Sequence, residues 1–172
     1  MSALKEPRNP QHKELCVAGI GKKLYLVVHI KGRTLRAMID SGATGNFIDQ
    51  EAVLNNGFRT KRKKKPYQLT TLDGGALGPD QGRVSLETEQ MVMKSVRGHT
   101  EDIQFDVTTL GTHIVVLGMP WLYEHNPSID WWNERITFDR CTCVSDRKAP
   151  YKKGLTFQLQ DELYATLSNK ED

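Results

Sequence analysis

Leu24, Leu26, Val28 and Ile30 alternate with Tyr25, Val27 and His29. The two-residue period is that of a β-strand, and the apolar character of both sets predicts a strand at least partly buried on both faces. Lys31-Gly32 supplies a turn and Thr34 to Ile39 a second strand, so the two read as a hairpin. That strand runs into Asp40-Ser41-Gly42-Ala43-Thr44-Gly45. Phe47-Ile48 follows, then a short helix with Asp49 as N-cap and Gly57 as its stop. Tyr67 to Leu72 is a strand candidate with Tyr67, Leu69 and Thr71 on one side, and Asp73-Gly74-Gly75 is a tight turn. Val84 to Val96 carries one or two further strands. Arg97-Gly98-His99 is a turn, and Ile103, Phe105 and Val107 alternate again. Ile114 to Leu117 is a short buried strand ending at Gly118. Met119 to His125 forms a brief helix that stops before Pro127, and Arg135 to Phe138 is the last clear strand.

Many short strands, frequent turns and one or two short helices predict an all-β fold, a closed or partly closed antiparallel domain. The pattern divides the chain into a charged, flexible lead-in over residues 1–16 with Pro7 and Pro10, a folded domain over 17–140, and an extension or linker over 141–172. In that extension Leu155, Phe157 and Leu159 alternate, which reads as a linker or as a strand used in dimer contacts.

Composition narrows the function classes. A length of 172 residues suits one domain, and a net charge of 24 − 21 = +3 sets up no dominant long-range field, so the chain as a whole does not read as a nucleic-acid binder. The longest apolar run, Leu24 to Val28, falls far short of a membrane helix, and residues 1–15 are too polar for a signal peptide. Three cysteines, Cys16, Cys141 and Cys143, do not make a disulfide framework. The Cys-Thr-Cys pair has no second pair and no nearby His at zinc-ligand spacing, so these read as incidental thiols in a reducing setting, and no metal or cofactor is expected. The run Lys61-Arg62-Lys63-Lys64-Lys65 reads first as a solvated loop, with a nucleic-acid or nuclear-import patch as the rival.

Asp40-Ser41-Gly42 ends an apolar strand, which holds a carboxylate on rigid backbone at a loop opening. Gly42 permits a tight bend, and Ser41 and Thr44 supply hydroxyls. Alone, the tripeptide reads as an ordinary turn. The wider stretch from Ala37 to Asp49 closely resembles the active-site segment of retropepsins, in the form seen in Gypsy-type LTR retrotransposons. A second block resembles the same family: Val115-Val116-Leu117-Gly118-Met119-Pro120-Trp121-Leu122, then His125-Asn126-Pro127, Ile129-Asp130-Trp131 and Ile136-Thr137-Phe138. The two stand in the family's order, with the glycine-rich turn between them where the family has its flap.

The resemblance implies a retropepsin-like closed β-barrel with a flap hairpin, and an aspartic endopeptidase with Asp40 as catalytic residue on the loop Ser41, Gly42, Ala43 and Thr44. It implies a flap around Leu72, Asp73, Gly74 and Gly75, and a supporting role for Leu117 and Gly118 beneath the loop. Ser41 hydroxyls are expected to bridge the two loops of a dimer. Trp121 and Trp131 read as core or interface anchors and His125 as structural. The chain carries one Asp-Ser-Gly segment, and this chemistry needs two carboxylates across one water, so the enzyme is expected to be a two-fold homodimer. The implied substrates are Gag and Gag-Pol polyproteins, cleaved in the cytoplasm within virus-like particles. The alternative is a catalytically silent, host-adopted dimerisation or binding module.

Overall fold

The computed structural model describes residues 12–14, 23–70, 82–95, 99–141, 143 and 156–158. Thirteen strands and two helices occur among them. They are β1 (His12–Glu14), β2 (Leu24–Ile30), β3 (Arg33–Ile39), β4 (Phe47–Asp49), α1 (Gln50–Asn56), β5 (Thr60–Thr70), β6 (Arg83–Thr88) and β7 (Met91–Ser95). After these come β8 (Thr100–Ile103), β9 (Asp106–Thr108), β10 (Val115–Leu117), α2 (Met119–His125), β11 (Ser128–Asp130), β12 (Arg135–Thr137) and β13 (Thr156–Gln158). No helix among them is long and apolar enough to cross a membrane.

Ten strands form one sheet in the order β1-β5-β6-β9-β4-β10-β3-β2-β7-β8, and β11-β12-β13 form a second. The hairpin read from the alternation at 24–39 is present, with Leu24 opposite Ile39 and Ile30 opposite Arg33. Both faces of the large sheet are covered. Leu24, Leu26, Val28 and Ile30 of β2, Ala37 and Ile39 of β3, and Val115 and Leu117 of β10 join one core with Phe105, Trp121 and Phe138. Met38 and Val116 turn the other way and meet Ala43, Phe47, Tyr67 and Leu69. Each fully buried Val, Leu, Ile, Phe or Met side chain contributes about 1.5–3 kcal/mol of transfer free energy.

The expectation of a closed antiparallel barrel needs correction. The sheet is open, its end strands β1 and β8 do not pair, and three pairings are parallel: β1 with β5, β3 with β10 and β4 with β9. Strand β10 returns after a long crossover and inserts between β3 and β4, parting two strands that are neighbours in sequence. Parallel pairs need long connections, and local alternation carries no trace of them.

The basic run also differs from the solvated-loop reading, because it lies within β5 and pairs with β6. The ladder shifts register between Arg62 and Tyr67, the interval that holds Pro66, a residue with no N–H to give. Lys63 is drawn in, bonding Asp106 at 2.6 Å and Glu87 at 3.0 Å. Tyr67 donates its hydroxyl to the other oxygen of Asp106. His12–Glu14, expected in a flexible lead-in, forms an edge strand beside β5, and Thr156–Gln158 pairs with β12 of its own chain.

The caps read for α1 are present, and α2 stops where its sequence predicts. Asp49 accepts from the N–H groups of Glu51 and Ala52, and Gly57 closes α1 at φ 66°, a conformation that favours glycine. α2 ends on Asn126 in the left-handed region, before Pro127. Trp121 is a core anchor, whereas Trp131 is 60% exposed and so is not part of the core.

Candidate active site

Asp40 stands where β3 ends. Its N–H donates to the Leu117 carbonyl at 2.9 Å, so the parallel β3–β10 ladder is carried one step beyond the strands and fixes the first residue of the loop. The chain then turns back, with Ala43 N–H donating to the Asp40 carbonyl at 3.1 Å, and re-enters the sheet as β4 on the far side of β10. The loop over residues 40–46 therefore spans the strand that separates its two ends.

Gly118 lies directly beneath that loop. A Cβ built there would be driven into the carbonyl oxygens of Gly45 and Ala43, the latter at 2.6 Å. The contact is hydrogen-bonded on both flanks: Met119 N–H donates to the Ala43 carbonyl at 2.7 Å, and Gly118 N–H donates to Asn46 Oδ1 at 3.0 Å. Asn46 also accepts from Asp106 N–H at 2.9 Å through its carbonyl. Leu117 and Gly118 thus hold the loop from below, and Asn46 is a support that the sequence reading did not single out. An Asn six residues after the Asp has no signature of its own.

The carboxyl of Asp40 is half-buried. Gly42 N–H donates to Oδ1 at 2.9 Å, and Oδ2 is buried with no hydrogen-bond partner among the described residues. Burial pushes the acid above its ordinary value, against the pull of the Gly42 and Ala43 N–H groups and the charge of His113. A carboxyl with one oxygen fixed and the other unbonded is oriented by backbone alone, which is the preorganisation that general acid–base chemistry needs.

His113 is a second neighbour missed in the sequence. Its ring is buried, with Nε2 3.2 Å from Lys23 Nζ and Nδ1 3.5 Å from Tyr25 Oη. Burial, together with Lys23 and Arg36, holds it below the usual imidazole range, against the pull of Asp40. Ser41 and Thr44 are exposed on the loop rim, and Ala43 is fully buried beneath it. The flap residues Leu72, Asp73, Gly74 and Gly75 lie outside the described residues. Strands β5 and β6, which lead into and out of that segment, pair antiparallel, with Gln68 opposite Arg83.

The family described as PEG10/RTL1 protease domain matches residues 36–146, which include the loop, β10 and α2. The chain belongs to this family. Among solved structures, the retroviral protease-like domain of Ddi1 from Leishmania major is similar over 70% of this chain and 93% of its own. Its TM-score is 0.50 and its identity 17%, a likeness of fold. The EIAV protease complexed with the inhibitor HBY-793 covers 66% of this chain and 98% of its own, at a TM-score of 0.44 and 19% identity. The protein is a retropepsin-like protease domain, mostly β with two helices, and Asp40 is its candidate catalytic residue.

Proposed function

We propose that this PEG10/RTL1-type domain is an aspartic endopeptidase that acts as a two-fold homodimer, with one Asp40 from each subunit flanking a shared water. The observation that carries the reading is the Asp40 carboxyl itself: Oδ1 is held by the Gly42 N–H, and Oδ2 is buried and unbonded at the end of a rigid strand. A second Asp40 brought across a symmetry axis supplies the missing partner. Two carboxyls that close cannot both ionise cheaply, so the pair shares one proton. The ionised member takes a proton from the water. The protonated member donates to the scissile carbonyl and stabilises the developing oxyanion, and proton return to the leaving nitrogen completes cleavage. In this reading the Ser41 hydroxyls, exposed on the loop rim, bridge the two loops. The segment holding Leu72, Asp73, Gly74 and Gly75 closes over an extended substrate that pairs with it through backbone hydrogen bonds.

The Gypsy-type origin, the Gag and Gag-Pol substrates and a cytoplasmic site of action within virus-like particles belong to the same proposal. So does a connection to neighbouring polyprotein domains through residues 1–16 and 141–172, of which His12–Glu14 and Thr156–Gln158 are strands of this fold. These rest on the resemblance of the Ala37–Asp49 and Val115–Phe138 blocks to retrotransposon proteases. Within the basic run Lys63 is committed to Glu87 and Asp106, while Lys61, Arg62, Lys64 and Lys65 are exposed, so nucleic-acid binding through the run stays the rival reading.

The deciding experiment is cleavage of peptides spanning Gag-Pol junctions by wild type and Asp40→Asn, with molecular mass measured in the same buffer. Dimers that cleave as wild type and not as Asp40→Asn support the enzyme. Dimers inert in both forms support the host-adopted dimerisation module instead.

A further inference from the structure

Away from the Asp40 loop, four side chains that are scattered in sequence converge in the core. His99 precedes β8, His125 is the last residue of α2, and Cys141 and Cys143 follow β12. One potential ligand atom from each lies within 4.8 Å of all the others, and His99, His125 and Cys141 are buried. His125 Nδ1 lies 3.1 Å from both Cys141 Sγ and Cys143 Sγ.

The opposite edges of the two imidazoles share one acceptor. His99 Nε2 is 2.9 Å from Glu101 Oε2. His125 Nε2 is 2.9 Å from the same oxygen, though too oblique for a well-formed hydrogen bond. The Glu101 carboxylate is in turn fixed by Trp121 Nε1 at 3.0 and 3.1 Å. His99 stacks on Phe138 at 4.0 Å and meets His125 edge-on at 5.0 Å.

A hydrogen-bonded account of the cluster leaves a fault. His99 Nδ1 is buried and has no partner among the described residues, and an orphaned buried polar atom is costly. His125 Nδ1 faces both sulfurs with at most one proton to share, and Cys141 Sγ also accepts from the Cys143 N–H at 3.2 Å.

We propose that His99 Nδ1, His125 Nδ1, Cys141 Sγ and Cys143 Sγ bind a zinc ion as a closed, structural Cys2His2 site. A single cation gives His99 Nδ1 a partner and receives both sulfurs as thiolates. Tetrahedral zinc with Zn–S near ~2.3 Å and Zn–N near ~2.0 Å places its ligand atoms roughly 3.3–3.8 Å apart, between the 3.1 Å of the His125–cysteine pairs and the 4.8 Å that bounds the cluster. Binding displaces the two thiol protons, and the two thiolates balance the charge of the ion. Glu101 then receives the N–H of His99 Nε2 and faces His125 Nε2 at 2.9 Å, both on the side away from the metal. A carboxylate in that position fixes the tautomer and raises ligand basicity. Four protein ligands leave no open position for a substrate or a water, so the site is structural rather than catalytic.

The placement gives the ion a mechanical role. α2 begins at Met119, whose N–H bonds the Ala43 carbonyl of the active-site loop at 2.7 Å, and ends at His125. Zinc therefore clamps the far end of the helix that supports the loop to the start of β8 and to the segment that follows β12.

The test uses the full chain purified with zinc in the medium. One zinc per chain is expected by elemental mass spectrometry. Replacement by Co2+ is expected to give the thiolate-to-cobalt charge-transfer and tetrahedral d–d bands. Chelation is expected to lower the thermal midpoint, and Zn2+ alone to restore it. Cys143→Ser and His99→Gln are expected to lose stoichiometric metal. Glu101→Gln is expected to keep the ligand set and weaken zinc binding by ~10–100-fold. Wild type that carries no zinc and gives no cobalt bands would overturn the proposal. So would Cys143→Ser that binds as much zinc as wild type, or a Cys141–Cys143 disulfide as the native state. The wild-type measurements stand even if a variant does not fold.

Discussion

Gly118 and Ala43 are in backbone contact: a Cβ on residue 118 would lie 2.6 Å from the Ala43 carbonyl oxygen. The obstacle is main chain pinned by the Met119 N–H, so it cannot swing aside. Gly118→Ala is expected to destabilise the fold by about 3 kcal/mol, the upper part of the range for overpacking, and to displace the Asp40 loop enough to cut cleavage sharply. Gly45→Ala is the comparison. Its Cβ would meet the tip of the Phe47 ring at 2.9 Å, a side chain that can shift, so its loss is expected to be smaller. Urea unfolding of both variants checks the order. A Gly118→Ala midpoint equal to wild type would contradict the close approach.

The buried carboxyl of Asp40 predicts a specific pH dependence of stability. Its folded pKa is raised above the ordinary 3.8, chiefly by burial. A raised folded value means that the acid's contribution is fully present below 3.8 and is lost as pH climbs through the folded value. Asp40→Asn removes the charge and so escapes that loss. The variant is expected to be more stable than wild type at neutral pH, with the difference shrinking below the unfolded value, while its cleavage falls by ~10²-fold or more. Stability curves of both proteins against pH decide this. A difference that grows as pH falls would have the wrong sign. In the proposed dimer, wild-type activity is expected under mildly acidic conditions and declines once both carboxyls ionise.

What the sequence made legible follows the range of the forces involved. The β2–β3 hairpin, the Asp49 and Gly57 caps and the two short helices depend on residues within a few positions of each other, and local patterning reveals them. The Asp40-Ser41-Gly42 segment and Leu117-Gly118 were found through resemblance, and the geometry gives their partnership a reason in the carbonyl of Ala43. The insertion of β10 between β3 and β4, the pairing of Lys63 with Asp106, and the meeting of His99 with Cys141 and Cys143 are long-range. A run of five basic residues looks solvated until one member finds two carboxylates on neighbouring strands. A Cys-Thr-Cys pair looks incidental until the fold delivers two imidazoles to it.

Lys63 is the basic residue whose loss should matter. Its ammonium bonds Asp106 at 2.6 Å and Glu87 at 3.0 Å, and these carboxylates raise its pKa although burial works against them. Removing it takes the ammonium away from two carboxylates, of which Asp106 is buried. Lys63→Ala is expected to cost about 3 kcal/mol, the lower part of the range for breaking a buried pair. Lys61 is more than half exposed and 3.7 Å from Glu87, so Lys61→Ala is expected to change stability by less than ~1 kcal/mol. A double-mutant cycle between Lys63 and Asp106 isolates the coupling. Additive losses would show that the two do not interact in solution.

Asp49 joins two parts of the molecule through separate oxygens. Oδ2 accepts from Glu51 N–H at 3.0 Å and Ala52 N–H at 3.3 Å, capping α1. Oδ1 accepts from Leu110 N–H at 2.8 Å, anchoring the approach to β10. Asp49→Ala removes all three bonds, losing about 1 kcal/mol for the cap and about 1–3 kcal/mol for the stranded Leu110 N–H. Asp49→Asn keeps one side-chain oxygen, enough for the cap or for Leu110 but not for both, and is expected to fall between wild type and Asp49→Ala. Denaturant midpoints test that order, and amide exchange at Leu110 shows which bond the Asn variant keeps. Because Leu110 precedes the strand that carries Leu117 and Gly118, faster exchange there is expected to accompany weaker cleavage. An Asp49→Ala protein as stable as wild type would mean that neither bond is made in solution.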